Sequence, residues 1–161
     1  MRVGTRDSVE YALLAIGIIL SGYLLYHHYE IRLDPSKKSF CTVSEDINCD
    51  VVALHSSSEV LGIPLAVYGL GYYFLLACLL GWARRLQEQI LSFYASVFKG
   101  LGFLISIYLF VISKWLIGSL CLVCCGTYLI NICLLLQVLF KSDFSWKGAL
   151  IQVYRDVQVK T

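Results

Sequence analysis

Residues 115–140, with the sequence WLIGSLCLVCCGTYLINICLLLQVLF, contain no Asp, Glu, Lys or Arg. An α-helix rises 1.5 Å per residue, so about 20 apolar residues are enough to cross the hydrocarbon core of a bilayer. Residues 61–83 also lack all four charged residue types. Both segments therefore predict membrane-spanning helices, not the core of a water-soluble domain.

Two further segments have the same character. Residues 11–29 lack the four charged types and end in the aromatic and histidine run Tyr26-His27-His28-Tyr29, which suits a membrane interface. Residues 90–113 are interrupted only by Lys99, whose long side chain can reach the interface from near a helix start. The chain has 58% hydrophobic residues and a mean hydropathy of +0.73. This hydrophobic content is higher than that of a typical soluble domain.

We therefore predict an all-α integral membrane protein whose residues 1–161 form a single domain. Its four transmembrane helices are predicted at about residues 9–29, 62–83, 92–113 and 115–140. The first of the segments between them, residues 30–61, is polar and contains the turn-forming run Asp34-Pro35-Ser36, so it is predicted as a loop with some short helix. Residues 141–161 follow the last helix, either as a short amphipathic helix on the membrane surface or as a simple tail.

Lysine and arginine in short loops indicate the orientation, because they favour the cytoplasmic side. With the N-terminus inside, nine of these residues lie on the cytoplasmic side: Arg2, Arg6, Arg84, Arg85, Lys99, Lys141, Lys147, Arg155 and Lys160. The other four lie outside. We predict cytoplasmic N- and C-termini, an external loop over residues 30–61 and a cytoplasmic tail. A net charge of +2 is accounted for by topology, and no nucleic-acid partner is expected.

Four of the seven cysteines lie on the predicted outer side. Cys41 and Cys49 are in the external loop, and Cys121 and Cys124 form a Cys-x-x-Cys at the start of the fourth helix. Residues three apart share a helix face, which brings two sulfurs within bonding reach. The helix N-terminus stabilises a thiolate, the species that attacks in disulfide exchange. Both pairs face the compartment where disulfides persist.

Two pairs on one side predict a relay that carries electrons from water-facing thiols into the lipid phase. Static disulfides or apolar packing are the alternatives, and a zinc site is disfavoured because four cysteines at an oxidising surface more readily oxidise. We therefore expect no metal. The relay needs a lipid-soluble electron acceptor. Tyr128, one helical turn beyond Cys124, has a hydroxyl that could bond a quinone carbonyl, or it simply packs.

The combination of motifs is more specific than any one of them. It comprises Cys41 and Cys49 in Asn48-Cys49-Asp50-Val51-Val52, then Gly62-Ile63-Pro64 with Gly69, then Cys121-Leu122-Val123-Cys124 followed by Thr127-Tyr128. Together these motifs resemble the vitamin K epoxide reductase family, in its small bacterial form without a fused thioredoxin domain, over about residues 9–140. The resemblance implies a four-helix bundle around a quinone pocket, capped by the external loop and its short helix. It also favours the bacterial inner membrane.

The resemblance assigns an order to the cysteines. Cys41 would exchange with the reduced partner, Cys49 would transfer to Cys121, and Cys124 would face the quinone, which Tyr128 would bind. The quinone would be of the ubiquinone, menaquinone or phylloquinone type.

Two positions depart from the family pattern. Leu65 stands where members often have a polar residue that bonds the other side of the quinone, so binding would rest on Tyr128 and apolar contacts, or involve a different head group. Where many members have a serine or threonine that assists transfer between the pairs, this chain has His55, followed by Ser56 and Ser57. A histidine there could accept a thiol proton near neutral pH.

The predicted function is a membrane thiol-disulfide oxidoreductase that oxidises a reduced thioredoxin-like (DsbA-like) secreted or periplasmic protein and reduces a quinone, and so supports disulfide bond formation. One alternative keeps the same cysteines and reduces vitamin K epoxide and quinone, as in the animal vitamin K cycle. Another, from a different class, is a non-enzymatic membrane scaffold stabilised by disulfides.

Overall fold

The computed structural model describes residues 5–36, 39–87 and 89–140, so the predicted tail at 141–161 lies outside the described residues. The described helices and strands follow in chain order: α1 Thr5–Leu33, α2 Cys49–Leu54, a 3₁₀ turn Ser56–Ser58, β1 Glu59–Val60, β2 Ile63–Pro64, α3 Leu65–Leu86, α4 Gln89–Val111, a π-helical turn Ile112–Ile117, and α5 Leu122–Leu139. Strands β1 and β2 form a two-stranded antiparallel hairpin.

The helices α1, α3, α4 with its π-helical turn, and α5 are each long and apolar enough to cross a membrane. They pack as a ring in which α1 and α4 each contact both α3 and α5. The predicted all-α membrane bundle is confirmed, and the protein is a multi-pass membrane protein. Its interior includes Leu14, Leu76 and Leu134, all almost fully buried. Tyr73 packs so closely on Gly17 that a Cβ there would lie 2.7 Å from its ring, and small residues commonly permit such close contact between membrane helices.

The segment between α1 and α3 forms a cap at one end of the bundle. It contains the predicted short helix, which is α2. The third span and α5 meet the cap through the chain reversal at residues 118–121, while the α3–α4 connection lies at the opposite end. The cap, defined here as residues 39–64, thus lies at the same end of the bundle as Cys121.

Two helix starts differ from the predicted positions. The third span continues to Ile117, and α5 begins at Leu122. Trp115 therefore lies in the last turn of the third span instead of starting the fourth. Gly118, in a left-handed conformation with φ 75°, ends the third span. The sequence does not reveal this boundary, because residues 115–140 are uncharged on both sides of it. Similarly, α3 begins at Leu65, because Ile63 and Pro64 pair in the hairpin and Pro64 is the extended N-cap.

Lys99 does not extend to the interface as predicted. It is buried and forms an ion pair with Glu10 of α1, which also pairs with Arg84 of α3. Arg84 contacts Asp7 at 3.0 Å as well and lies over the ring of Tyr11. Charges within a membrane are tolerated when they are paired. This charged cluster joins three helices at the end of the bundle opposite the cap.

Candidate redox site

Main-chain hydrogen bonds hold the cap against the start of α5. Ile47 and Leu120 form a parallel bridge, in which Asn48 N–H donates to the Leu120 carbonyl at 3.0 Å and Leu120 N–H donates to the Asp46 carbonyl at 2.8 Å. Because Cys49 follows Asn48 and Cys121 follows Leu120, the pairing brings a cysteine of each predicted pair to the same place. Both belong to one buried cluster.

The loop pair is joined, since Cys41 and Cys49 form a disulfide with their Cα atoms 5.7 Å apart. Cys41 is 0% exposed and Cys49 1% exposed. An external thiol therefore reaches this bond only if the cap segment around Cys41 moves. The neighbours Phe40 and Val43 are by contrast 73% and 70% exposed, so an apolar surface flanks the buried disulfide.

The start of α2 positions Cys49. Asn48 is the N-cap, and its side-chain oxygen accepts the backbone N–H groups of Asp50 and Val51, each at 3.1 Å. The hydroxyl of Thr42 donates to the same oxygen at 3.3 Å. An Asn cap of this kind contributes about 1 kcal/mol to helix stability. It also ties the segment around Cys41 to the helix that begins with Cys49.

The helical pair stands at the N-terminus of α5, as predicted. Cys121 is the N-cap, and its sulfur accepts the backbone N–H of Cys124 at 3.3 Å. The Cys124 thiol also hydrogen-bonds to this sulfur, and these contacts outweigh burial and lower the pKa of Cys121 below the usual thiol value. Both thiols are free. The arrangement favours a thiolate at Cys121, the group next to the loop disulfide.

A cavity of about 230 Å³ lies within the helix ring beneath the cap. Its walls include Cys49, Cys121 and Cys124 together with Tyr128, whose ring packs edge-on against Phe110. Leu65 lines the cavity at the start of α3. Most of the predicted site residues therefore border one cavity, and Cys41 is linked to it by its disulfide bond with Cys49.

The three predicted assisting residues have different positions. Ser57 lines the cavity, and so does Ser58 beside it. His55 instead caps the 3₁₀ turn, with its Nδ1 accepting the Ser57 N–H at 3.1 Å. Ser56 begins that turn, and neither His55 nor Ser56 is part of the cavity wall.

The deeper wall of the cavity carries polar groups that sequence reasoning missed. Asn131 donates to the Ser106 hydroxyl at 2.7 Å and accepts from the Tyr73 hydroxyl at 3.3 Å. The Tyr72 hydroxyl is buried and has no hydrogen-bond partner among the described residues. It lies over Gly102, where a Cβ would be 2.3 Å from its oxygen. Asn131 could have indicated this polar wall from the sequence, because a polar amide within a membrane-spanning segment usually faces the interior of the bundle.

Sequence reasoning also missed the role of the two histidines in the last turns of α1, His27 and His28. His27 is buried, and its Nε2 lies 3.1 Å from Oδ1 of Asp50. Burial alone would raise the pKa of Asp50, but hydrogen bonds from Ser39 and Thr42 and the nearby His27 outweigh it and lower that pKa. The histidines therefore contact the cap, although their sequence context suggested a membrane interface.

His28 forms a second contact between α1 and the cap. Its Nε2 lies 3.0 Å from Glu59, and Arg32 reaches the same carboxylate oxygen at 2.9 Å. The end of α1 is thus tied to the cap at Asp50 and again at Glu59, the first residue of the hairpin.

A family model described as the vitamin K epoxide reductase family matches residues 9–139. The matched region spans the four long helices, the cap and both cysteine pairs. It agrees with the architecture above, in which a capped helix bundle encloses a cavity lined by cysteines. The chain belongs to the vitamin K epoxide reductase family, a family of membrane redox enzymes.

Proposed function

We propose that this protein is a membrane thiol-disulfide oxidoreductase that carries electrons from a reduced thioredoxin-like protein, through its two cysteine pairs, to a quinone. One observation carries the proposal: Cys49, Cys121 and Cys124 line the same cavity as Tyr128, and Cys41 is bonded to Cys49. The sulfurs thus extend from the cap to the interior of the bundle. Such an arrangement supports disulfide formation in client proteins.

The transfer follows from thiolate chemistry. Attack on Cys41 by a partner thiolate releases Cys49 as a thiolate, and a second partner thiol completes reduction of the loop pair. When Cys121 and Cys124 are oxidised, the Cys49 thiolate attacks Cys121, forms a mixed disulfide and releases the Cys124 thiolate. Cys41 then attacks Cys49, the loop disulfide re-forms and Cys121 leaves as a thiolate. Two electrons have moved from the loop pair to the helical pair.

The cavity residues fit a quinone. The wall is mainly apolar. It includes Tyr128 and the buried hydroxyl of Tyr72, which has no hydrogen-bond partner among the described residues. Each hydroxyl can donate to a carbonyl oxygen. Tyr72 therefore offers a second polar contact that Leu65 cannot make. A bound quinone would accept two electrons and two protons.

The proposed setting is the bacterial inner membrane, with the termini in the cytoplasm and the cap outside. The excess of Lys and Arg on the predicted inner side supports this orientation. The exposed Phe40 and Val43 beside the buried disulfide offer apolar contacts to a partner protein. Binding there could shift the segment that covers Cys41, which would couple docking to exchange.

Turnover by the purified chain in lipid nanodiscs, with dithiothreitol as electron donor, tests the proposal. We expect ubiquinone or menaquinone to be reduced in proportion to dithiol oxidised, and vitamin K epoxide to be turned over far more slowly. Epoxide turnover at a rate comparable with quinone would instead favour an epoxide reductase. Absence of turnover with every acceptor would contradict an enzymatic role.

A further inference from the structure

A series of polar contacts leads from the sulfur of Cys41 to the wall of the cavity. The Ser39 hydroxyl lies 3.3 Å from Cys41 Sγ and donates to Asp50 Oδ1 at 2.6 Å. The Ser39 backbone N–H donates to the other carboxylate oxygen at 3.3 Å. Beyond Asp50, His27 Nε2 lies 3.1 Å from Oδ1. The exchange steps described above use neither Ser39, Asp50 nor His27.

His27 is the unusual member of this series. It is only 4% exposed, stacks on Tyr23 and lines the cavity. Although Asp50 is close, the ring is not aligned for a hydrogen bond, and Nε2 has no hydrogen-bond partner among the described residues. Leaving a buried polar group unpaired is costly. The position therefore suits a nitrogen that takes up a proton during the reaction.

Cys41 requires such a group. Its side chain is fully buried, so no water at the protein surface can take its proton directly. Yet Cys41 must change from a thiol to a thiolate each time the loop disulfide re-forms, because only the thiolate attacks. Within the described residues, the Ser39 hydroxyl provides the hydrogen-bonding contact to the Cys41 sulfur.

We propose that Ser39, Asp50 and His27 form a proton relay for Cys41, with His27 as the acceptor. The Cys41 proton passes to Ser39 Oγ while the Ser39 hydroxyl proton passes to Asp50 Oδ1. The His27 ring, whose Nε2 lies 3.1 Å from this oxygen, then turns into line and takes the proton from Asp50. Ser39 and Asp50 end unchanged. The Cys41–Cys49 bond forms, the bond from Cys49 to its mixed-disulfide partner breaks, and the electron pair stays on the partner sulfur.

The lowered pKa of Asp50 agrees with this role, since a weakly basic carboxylate passes a proton on instead of keeping it. Ser39 and Asp50 are positioning and relay groups, and His27 is the base. The proposed function supplies the direction of electron flow on which this inference rests, but the relay itself concerns any oxidant that re-forms the loop disulfide.

A quinone-free exchange reaction tests the relay. In a Cys121→Ala/Cys124→Ala background, the reduced loop pair is mixed with glutathione disulfide, which takes two electrons and becomes two glutathione molecules. We expect His27→Ala to slow formation of the Cys41–Cys49 bond by about 100-fold, the usual scale of general base catalysis. Added imidazole should restore much of the rate. Pyrazole, which has the same shape but is a far weaker base, should not.

Two matched variants complete the test. Asp50→Asn can still accept from Ser39 but lacks the charge, and it should be slow without rescue by imidazole. His28→Ala removes the adjacent histidine, which pairs with Glu59, and should retain the starting rate. The relay is wrong if His27→Ala and Asp50→Asn exchange at that rate, or if imidazole and pyrazole rescue equally. Failure of the wild-type chain to reduce quinone would refute the proposed function without altering these outcomes.

Discussion

Cys121 combines two properties that a transfer thiol needs, because it is next to the loop disulfide and it starts a helix. The free backbone N–H groups at a helix N-terminus stabilise negative charge. Here one of them, from Cys124, points at the sulfur itself. The Cys124 thiol adds a second hydrogen bond. Cys121 is therefore expected to leave readily as a thiolate when Cys41 re-forms the loop disulfide.

The alkylation rate of Cys121 should show this stabilisation. Because the pKa of Cys121 is lowered, its thiolate should persist to a lower pH than that of an ordinary cysteine. Replacing Cys124 with Ala removes the thiol donor, so the midpoint of iodoacetamide labelling should move to higher pH. Mass spectrometry of the Cys121 peptide provides the rate. Cys125→Ala is the control and should leave the midpoint unchanged. An unchanged midpoint in Cys124→Ala would exclude the Cys124 thiol as the cause of the lowered pKa of Cys121.

Tyr72 offers a second test at the residue scale. Its buried hydroxyl has no partner among the described residues, so Tyr72→Phe should raise the melting temperature of the ligand-free protein, because an unpaired buried hydroxyl costs about 1–3 kcal/mol. The same change should reduce the further stabilisation that ubiquinone gives. Tyr108→Phe is a control, since Tyr108 is 64% exposed. Loss of stability without ligand, or unaltered stabilisation by quinone, would oppose a ligand-binding role.

At the scale of elements, the paired segments 46–48 and 119–120 connect the cap to α5. Their hydrogen bonds, together with the Ser119 hydroxyl donating to the Glu45 carbonyl at 2.8 Å, hold the first residue of α2 beside the N-cap of α5. Cys49 and Cys121 both line the cavity, whereas Cys41 does not. Transfer from Cys49 to Cys121, which the sequence resemblance implied, stays a prediction.

Cys41 and Cys124 are the first and last cysteines of the proposed electron path. Removing both should leave Cys49 and Cys121 free to form a disulfide. In a Cys41→Ala/Cys124→Ala chain, mild oxidation is expected to give a Cys49–Cys121 disulfide as the main cross-link. Proteolysis and mass spectrometry of the linked peptides would identify it. A main cross-link from Cys49 to Cys125 would show that the cap meets α5 in a different register.

The elements also show which features a sequence can reveal. Uncharged runs predicted the four spans, and the Cys-x-x-Cys spacing predicted the start of α5, because both signals are local. The pairing of Ile47 with Leu120 depends on two segments far apart in the chain, and the contact of His27 with Asp50 depends on how α1 meets the cap. No local pattern encodes either one. The reversal at Gly118 was hidden because apolar residues flank it on both sides.

At the scale of the whole molecule, polar contacts tie α1 to other elements at both ends of the bundle. The charged cluster around Glu10 joins α1, α3 and α4, while the contacts of His27 and His28 join α1 to the cap. The cavity lies between these two regions. α1 is therefore held by polar contacts on both sides of the cavity.

Glu10 should be the critical member of the charged cluster. Glu10→Gln leaves the buried Lys99 without its carboxylate, and breaking a buried ion pair in this way typically costs about 3–5 kcal/mol. Asp7→Asn is the matched control. The ion pair between Asp7 and Arg84 is partly exposed, with 41% of the Asp7 side chain accessible. Asp7→Asn should therefore lower the free energy of unfolding by less than about 1 kcal/mol. Unfolding in detergent measures both, and equal losses would contradict this account of the cluster.

The most direct test of the whole account is quinone reduction by purified Cys124→Ala, beside wild type and Cys125→Ala, with dithiothreitol as donor. Cys124 lines the cavity with Tyr128, and Cys125 is the adjacent free thiol. We expect Cys124→Ala to lower quinone-dependent dithiol oxidation to the level without protein, while Cys125→Ala keeps most of the wild-type rate. Retention of substantial quinone-dependent turnover by Cys124→Ala would contradict transfer through the two cysteine pairs.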